Sequence, residues 1–409
     1  MPNKFKVLVV PSDRTGCGSF RSINPHIALE EKYPDEFSID IDYEPQVNND
    51  EWLKQYDIIH YHRTLGPYEQ MNEILSRLDK LGIVSIMDLD DYWSPGQHHP
   101  SYFIIKKHKL DTLIFGNIKN ARNITTTTQI FADEIAKTNK NVFVIPNAIN
   151  PKEKQYIPKP ERSDRIRIGW LGSSSHLKDL EILERPISQI GNDKEMLKKV
   201  QFVLCGFDLR GTMTMIDEKT GKETNRPILP HESVWYQYEK IFTDNYSIVS
   251  PEYKEFLLQF KREEYPNVDN EPYRRVWTKP ISSYASNYNL FDISLAPLEE
   301  NIFNLVKSQL KLEESGFHKK ALIAQNYGPY KIDGKNAIEY GGEWNKDGNS
   351  ILIDTNRNHK NWYKAMTKLI ENPELIKQLS DNLYDTVKDT YSDEKVAEIR
   401  YNLYKKLLK

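Results

Sequence analysis

Lys307, Ser308, Lys311 and Glu314 stand close together in the stretch Leu295-Ala-Pro-Leu-Glu-Glu-Asn-Ile-Phe-Asn-Leu-Val-Lys-Ser-Gln-Leu-Lys-Leu-Glu-Glu-Ser-Gly316. An apolar run ends at Pro297, a polar loop follows, and Ser308 is placed to cap a helix whose first turns carry both lysines and the glutamate. Free amides at a helix start, with two ammonium groups, make a cradle for a diphosphate. A carboxylate a turn and a half along can accept hydrogen bonds from ribose hydroxyls. An ordinary capped amphipathic helix with an ion pair at spacing three accounts for the same residues, so both readings stand here.

Two glycine turns are built alike. Thr15-Gly16-Cys-Gly18-Ser-Phe-Arg21 directly follows the apolar run Val7–Val10, and its glycines let backbone approach a ligand while Arg21 reaches the same space. Arg21 occupies the third glycine position of GxGxxG, so this is not the dinucleotide fingerprint, and a tight strand-to-helix turn is the plain alternative. Gly169-Trp-Leu-Gly172-Ser173-Ser-Ser-His-Leu-Lys178 repeats the design, with Lys178 either facing a phosphate or solvated on the surface.

His60-Tyr-His62-Arg63 and Asp88-Leu-Asp90-Asp91-Tyr-Trp93, with His98-His99 a few residues on, each follow an apolar run. Carboxylates and imidazoles at strand C-termini of an open sheet point into its ligand crevice, which makes Asp90, Asp91 and His62 candidates for catalysis on an acceptor. A Mn²⁺ or Mg²⁺ site is chemically allowed, and Asp88 and Asp91 can simply cap a helix; a metal-free acceptor site is the preferred reading. Lys106-Lys-His-Lys109 reads as a solvated face that can also meet an anionic acceptor. Trp235 and Trp277 read as core residues.

The elements that position these groups follow from periodicity. Short apolar or alternating runs at 7–10, 38–43, 57–61, 83–87, 124–127 and 142–145 alternate with helical spacing at 22–32, 68–80 and 129–137. Such alternation implies parallel strands joined by right-handed crossovers, an α/β doubly wound sheet. Pro146-Asn-Ala-Ile-Asn-Pro151 stops the rhythm, which restarts at 166–171 and continues through 200–205, 276–277, 293–296, 321–324 and 351–353, with helices at 177–190 and from Ser308. The expected organisation is a first domain over 1–150, a linker over 151–165, a second domain over 166–390 with an insertion at about 207–273 that holds a hairpin near 217–222, and a terminal helix over 391–409.

The chain has 409 residues with 56 Lys+Arg against 59 Asp+Glu, a formal charge of −3, which opposes a broad nucleic-acid coat and leaves room for one local basic site. The two cysteines, Cys17 and Cys205, lie too far apart in sequence context for a disulfide framework or a thiolate metal cage. With no secretory signal and no apolar run of about 20 residues, the expected home is the cytoplasm, with peripheral membrane contact left open.

The tandem α/β organisation, the Asn-Ala-Ile-Asn segment and the Phe-Asn-x-x-Lys-Ser-x-x-Lys-x-x-Glu stretch together resemble GT-B glycosyltransferases of the retaining, nucleotide-sugar-dependent group with a Glu-x7-Glu motif (group 1, or family 4-like). The resemblance implies two Rossmann-like domains facing a cleft and a C-terminal helix crossing back to the first domain. It also implies a nucleotide diphosphate sugar as donor substrate, and no metal or other cofactor. In that light Glu314 matches the ribose-binding second glutamate, while the first falls on Val306. The family's Arg-x4-Lys pair falls on Ser173 and Lys178, so Lys307 is the candidate for the missing charge; Gly16 and Gly18 match the turn that faces the donor diphosphate. The expected donor-site set is Gly16, Gly18, Arg21, Gly172, Ser173, Lys178, Lys307, Ser308 and Glu314; Asp90, Asp91, His62 and Lys307 are the expected catalytic set. The expected partner besides the donor is a glycan, lipid-linked or protein acceptor. A viral-type enzyme that glycosylates a nucleic-acid base, a catalytically degenerate binding protein on this scaffold, and a nucleotide-sugar epimerase are the competing readings.

Overall fold

The computed structural model describes residues 4–217, 219–338, 343–354 and 359–409. The first sheet is built from β1 (Phe5–Val10), β2 (Phe37–Ile41), β3 (Ile58–His62), β4 (Val84–Leu89), β5 (Asn123–Thr126) and β6 (Val142–Val144). These six strands are all parallel, in the order β2-β1-β3-β4-β5-β6. In the second half of the chain lie β7 (Ile166–Leu171), β8 (Val200–Phe207), β9 (Thr212–Ile216), β10 (Glu223–Pro227), β11 (Tyr273–Trp277), β12 (Ile293–Ala296), β13 (Ala321–Gln325) and β14 (Ile351–Ile353). Six of them form a second parallel sheet, β11-β8-β7-β12-β13-β14, while β9 and β10 pair antiparallel on their own. Helices cover both faces of each six-stranded sheet, so runs such as Val7 to Val9 and the whole of β8 are buried. In each sheet the strand order reverses once, between β1 and β3 and between β7 and β12, and the crevice of an open sheet lies at the strand C-termini beside that reversal.

Local structure departs from the sequence reading in three places. The helix expected at 22–32 begins earlier, as a wide π-type turn over Gly18–Ile23 that runs directly into helix Asn24–Lys32. The helix expected at 177–190 divides into Leu177–Glu181 and Glu184–Asn192. The helix expected from Ser308 begins at Leu310. Within the region beyond β8, helices Val234–Thr243 and Pro251–Leu258 pack on the second sheet, and Trp235 sits in the core against Trp170 and Phe207. Glu218, in the predicted hairpin turn, lies outside the described residues, but the strands on either side do form a hairpin, and it reaches the first domain: Lys107 Nζ donates to Glu223 Oε1 at 2.7 Å.

Further contacts tie the two halves together. The terminal helix Asp393–Leu407 returns to the first domain, where Arg400 is fully buried beside His26 and His60. Burial and the Arg400 charge hold both imidazoles well below their ordinary range, so they pack as neutral rings. Ile149 exchanges backbone hydrogen bonds with Tyr391 and Asp393, at 2.9 and 3.0 Å. Val306 is fully buried within the apolar cluster of the first sheet, although it belongs to the second half of the chain. The position where the resembled group carries its first glutamate is therefore an interdomain packing position here, and an ionised carboxylate would be buried without a partner.

Candidate functional site

The C-terminal ends of the two sheets face each other across a cavity of 460 Å³. Gly16, Cys17, Arg21, Asp90, Asp91, His99 and Asn147 line it from the first domain; Gly172, Ser173, His176, Phe303, Lys307, Ser308, Lys311 and Glu314 line it from the second. An adjoining cavity of 930 Å³ shares Thr15, Gly16, Gly172, Ser173 and Tyr284 and extends between the β9–β10 hairpin and the turn after β11. Both glycine turns thus meet in one place. Gly172 is forced to be glycine, since a Cβ there would lie 2.4 Å from the Trp170 ring and 3.1 Å from Lys311 Nζ.

The second domain supplies the positive charge. Lys307 makes no ion pair among the described residues, and its ammonium lies 5.0 Å over the Phe303 ring, where it is free to meet an anion. Lys311 is held over the Trp170 ring at 5.0 Å and donates to the Leu171 carbonyl. Burial pushes its ammonium down to about 8, with Lys307 adding to the effect, so an arriving anion stabilises the charged form. The first amides of helix Leu310–Phe317 lack intrahelical acceptors, and Ser308, Leu310 and Lys311 at that helix start line the cavity. Glu314 accepts hydrogen bonds from Tyr288 at 2.9 Å and from Tyr284, and burial raises its carboxyl above the ordinary range against those bonds. Two tyrosine donors leave a carboxylate with lone pairs for further hydroxyls.

The first domain presents two acids with different proton affinities. Burial alone would raise Asp90, but His62 and Arg63 outweigh it and hold the carboxyl well below the carboxylate range: His62 Nε2 is 2.8 Å and Arg63 Nη2 3.1 Å from Asp90 Oδ1. Asp91, 4.0 Å from the same guanidinium, is raised by burial and by Asp90, with Lys307 and Arg63 opposing. Such a division leaves one fixed anion and one group poised to exchange hydrogen bonds with a hydroxyl. Cys17 is no nucleophile, because burial and the neighbouring Asp90 and Asp91 push its thiol far up.

Five expected site residues sit elsewhere or act differently. His62 is 2% exposed and lies behind Asp90, its Nδ1 bonded to Ser12 Oγ at 2.7 Å, so it orients the acid and does not itself line the cavity. Arg21 is 1% exposed and bidentate to Asp88 at 2.8 and 3.0 Å, with further bonds to Ile145 O and Asn147 Oδ1. Its donors hold the first domain together and are spent before any ligand arrives. Ser308 does not cap its helix; it accepts from Asn147 Nδ2 at 3.0 Å, and Gln309 stands at the helix start without a side-chain cap. Lys178 is paired with Glu181 at 2.8 Å, outside the cavity lining. Gly18 is likewise away from the lining, and its lack of a side chain serves the tight turn, because a Cβ would approach Asp13 O to 1.9 Å.

Tyr284, Tyr288 and the pair His176–Asp179 carry no role in the sequence reading, and Asn147 enters it only as part of the Asn-Ala-Ile-Asn segment. His176 Nδ1 lies 2.7 Å from Asp179, at the i,i+3 spacing that opens the short helix after Gly172; that spacing was the available signal. Among the described residues no group of three His, Cys, Asp or Glu side chains is arranged to hold a metal ion. No described helix is long and apolar enough to cross a membrane.

No family model and no curated protein matches the chain by sequence. Solved structures match it along its length. A glycosyltransferase from Rickettsia africae has 13% identity and a TM-score of 0.59, covering 100% of this chain and 99% of its own. Anabaena HepE, determined with UDP and glucose, has 10% identity and a TM-score of 0.59 over 98% of this chain and 99% of its own. The catalytic domain of starch synthase IV from Arabidopsis thaliana, bound to ADP and acarbose, has 12% identity and a TM-score of 0.59, with 99% of both chains covered. At these identities the likeness establishes the fold: two Rossmann-like α/β domains in the GT-B arrangement.

Proposed function

We propose that this chain is a glycosyltransferase that moves a hexosyl or pentosyl group from a nucleotide diphosphate sugar to an acceptor, in the cytoplasm and without a dedicated metal. The observation that carries the reading is the cavity itself: Lys307, without an ion pair among the described residues, Lys311 and the helix start at Leu310 on one wall, Glu314 within reach of the same space, and Asp90 with Asp91 on the facing wall. In this reading the lysines and amides hold the diphosphate and stabilise the negative charge that grows on it as the glycosidic bond to phosphate breaks. Glu314 accepts from ribose hydroxyls, and Asp91 takes the hydrogen bond of the acceptor hydroxyl as it attacks. Retention of the anomeric configuration is supported by the resemblance in the Lys307 to Glu314 stretch. The net charge of −3 and the acidic first-domain wall favour a sugar, lipid-linked or protein acceptor over a nucleic acid.

Replacing Glu314 tests the donor side. Glu314→Gln keeps the shape and an acceptor for the two tyrosines but loses the charged acceptor, which is worth about 1.5–3 kcal/mol, or roughly 10- to 150-fold in affinity. The expected result is a donor KM raised by that factor with kcat changed less, measured by coupled release of the nucleoside diphosphate. An unaltered donor KM would remove Glu314 from the nucleotide site.

A further inference from the structure

His176 stands at the end of the second glycine turn, with its ring on the cavity wall beside the two lysines. Its Nδ1 is 2.7 Å from Asp179 Oδ2, and no described residue bonds Nε2, the ring's other polar atom. Asp179 is itself buried and fully engaged: its Oδ1 accepts from Glu299 N at 2.7 Å and Asn304 Nδ2 at 2.9 Å, which ties the ring to the loop that carries Phe303 and Lys307. Each element packed against the ring contributes a group. Asp179 comes from its own helix, Tyr238 from helix Val234–Thr243 (its hydroxyl lies 2.8 Å from the His176 amide), Trp170 from β7, Lys307 from the loop and Lys311 from helix Leu310–Phe317.

Resting on the nucleotide reading above, we propose that His176 takes up one proton from solvent when the diphosphate binds and returns it when the nucleoside diphosphate leaves. The imidazolium, backed by Asp179, is then the third cation of the site. It stands three residues beyond Ser173, the position left without an arginine.

Geometry sets the acceptor state of the ring. With Asp179 fixing the proton on Nδ1, the neutral ring turns a lone pair at Nε2 toward the cavity, where a phosphate oxygen is repelled unless that nitrogen is protonated. Burial holds the ring down to about 4, with Lys307 and Lys311 adding to it and Asp179 opposing. A bound diphosphate cancels the lysine charges and adds its own. One unit charge at roughly 4 Å in a partly screened site changes proton affinity by about a thousandfold, enough to carry the ring to neutral pH. Since the bound form holds the proton more tightly than the free form, binding strengthens as pH falls from neutrality toward the free-state value.

Titration calorimetry of the full chain with UDP and with ADP, at pH 6.5 in two buffers of different ionisation enthalpy, counts the protons. The wild type is expected to take up about one proton per nucleotide bound beyond the nucleotide's own phosphate titration. His176→Gln is expected to lose that uptake and to bind about tenfold more weakly, and His176→Arg to bind near the wild-type level with no uptake, because its charge is fixed. A spacer role for the ring would not produce this split. Nucleotide binding by the wild type without proton uptake, or equal uptake in His176→Gln, overturns the proposal while sparing the nucleotide reading. Failure of the wild type to bind either nucleotide overturns both. The wild-type proton count decides the matter even where a variant folds poorly.

Discussion

Lys307→Ala is expected to lower kcat/KM for transfer by about 10²- to 10³-fold, the effect of removing one preorganised charge from a site where negative charge develops. Lys307 makes no ion pair among the described residues and its ammonium rests only over the Phe303 ring at 5.0 Å. The fold gains little from it, so the melting temperature is expected to stay within about 2 °C of wild type. A charge with no ion-pair partner among the described residues is available in full to the departing diphosphate. Lys307→Arg keeps the charge and should recover most of the rate, whereas Lys307→Met should behave as alanine does. Unchanged kcat/KM in Lys307→Ala, measured by nucleoside diphosphate release, would mean that the diphosphate lies elsewhere.

Arg21→Met is expected to cost about 3–5 kcal/mol of folding stability, the cost of breaking a buried ion pair and leaving one charge uncompensated. Arg21 and Asp88 are 1% and 0% exposed, and the guanidinium also bonds Ile145 O at 2.8 Å and Asn147 Oδ1 at 3.2 Å. Asn147 in turn donates to Ser308, so the loss reaches from the first sheet to the loop that carries Lys307. Urea denaturation should show the lower midpoint, and the double variant Arg21→Met with Asp88→Asn should recover part of it, because no naked carboxylate remains. A loss under about 1 kcal/mol in the single variant would show that the pair is not a structural pin.

The two sheets are legible because a parallel strand buried on both faces is a short, uninterrupted apolar run, as at Val7 to Val10 and Ala321 to Ala324. Lys311 and Glu314 are legible as well, because their spacing on one helix fixes them relative to one another, and Lys307 stands only three residues before that helix. What spacing cannot give is which donors another segment consumes. Arg21 reads as a free cation until Asp88, 67 positions away, is found against it, and Ser308 reads as a cap until Asn147 takes its hydroxyl. Lys178 was lost to a local competitor, Glu181 at i+3. His176 is illegible for the opposite reason: its partner Asp179 is three residues away, but the significance of the pair depends on the two lysines that a distant loop and helix bring beside it. Val306 marks the clearest case, a position whose residue type follows from packing against the other domain and not from ligand chemistry.

The central claim is that the cavity between the two sheets holds a nucleotide diphosphate sugar. A thermal-shift and calorimetric panel of UDP-, ADP- and GDP-sugars on the full chain tests it directly, since a ligand at a hundred times its Kd stabilises the native state by about 2.7 kcal/mol. At least one sugar nucleotide is expected to raise the melting temperature and bind with a measurable Kd, and Lys307→Ala and Glu314→Gln are each expected to weaken that binding. A panel that leaves the wild type unshifted, or a shift that both variants retain in full, would contradict it.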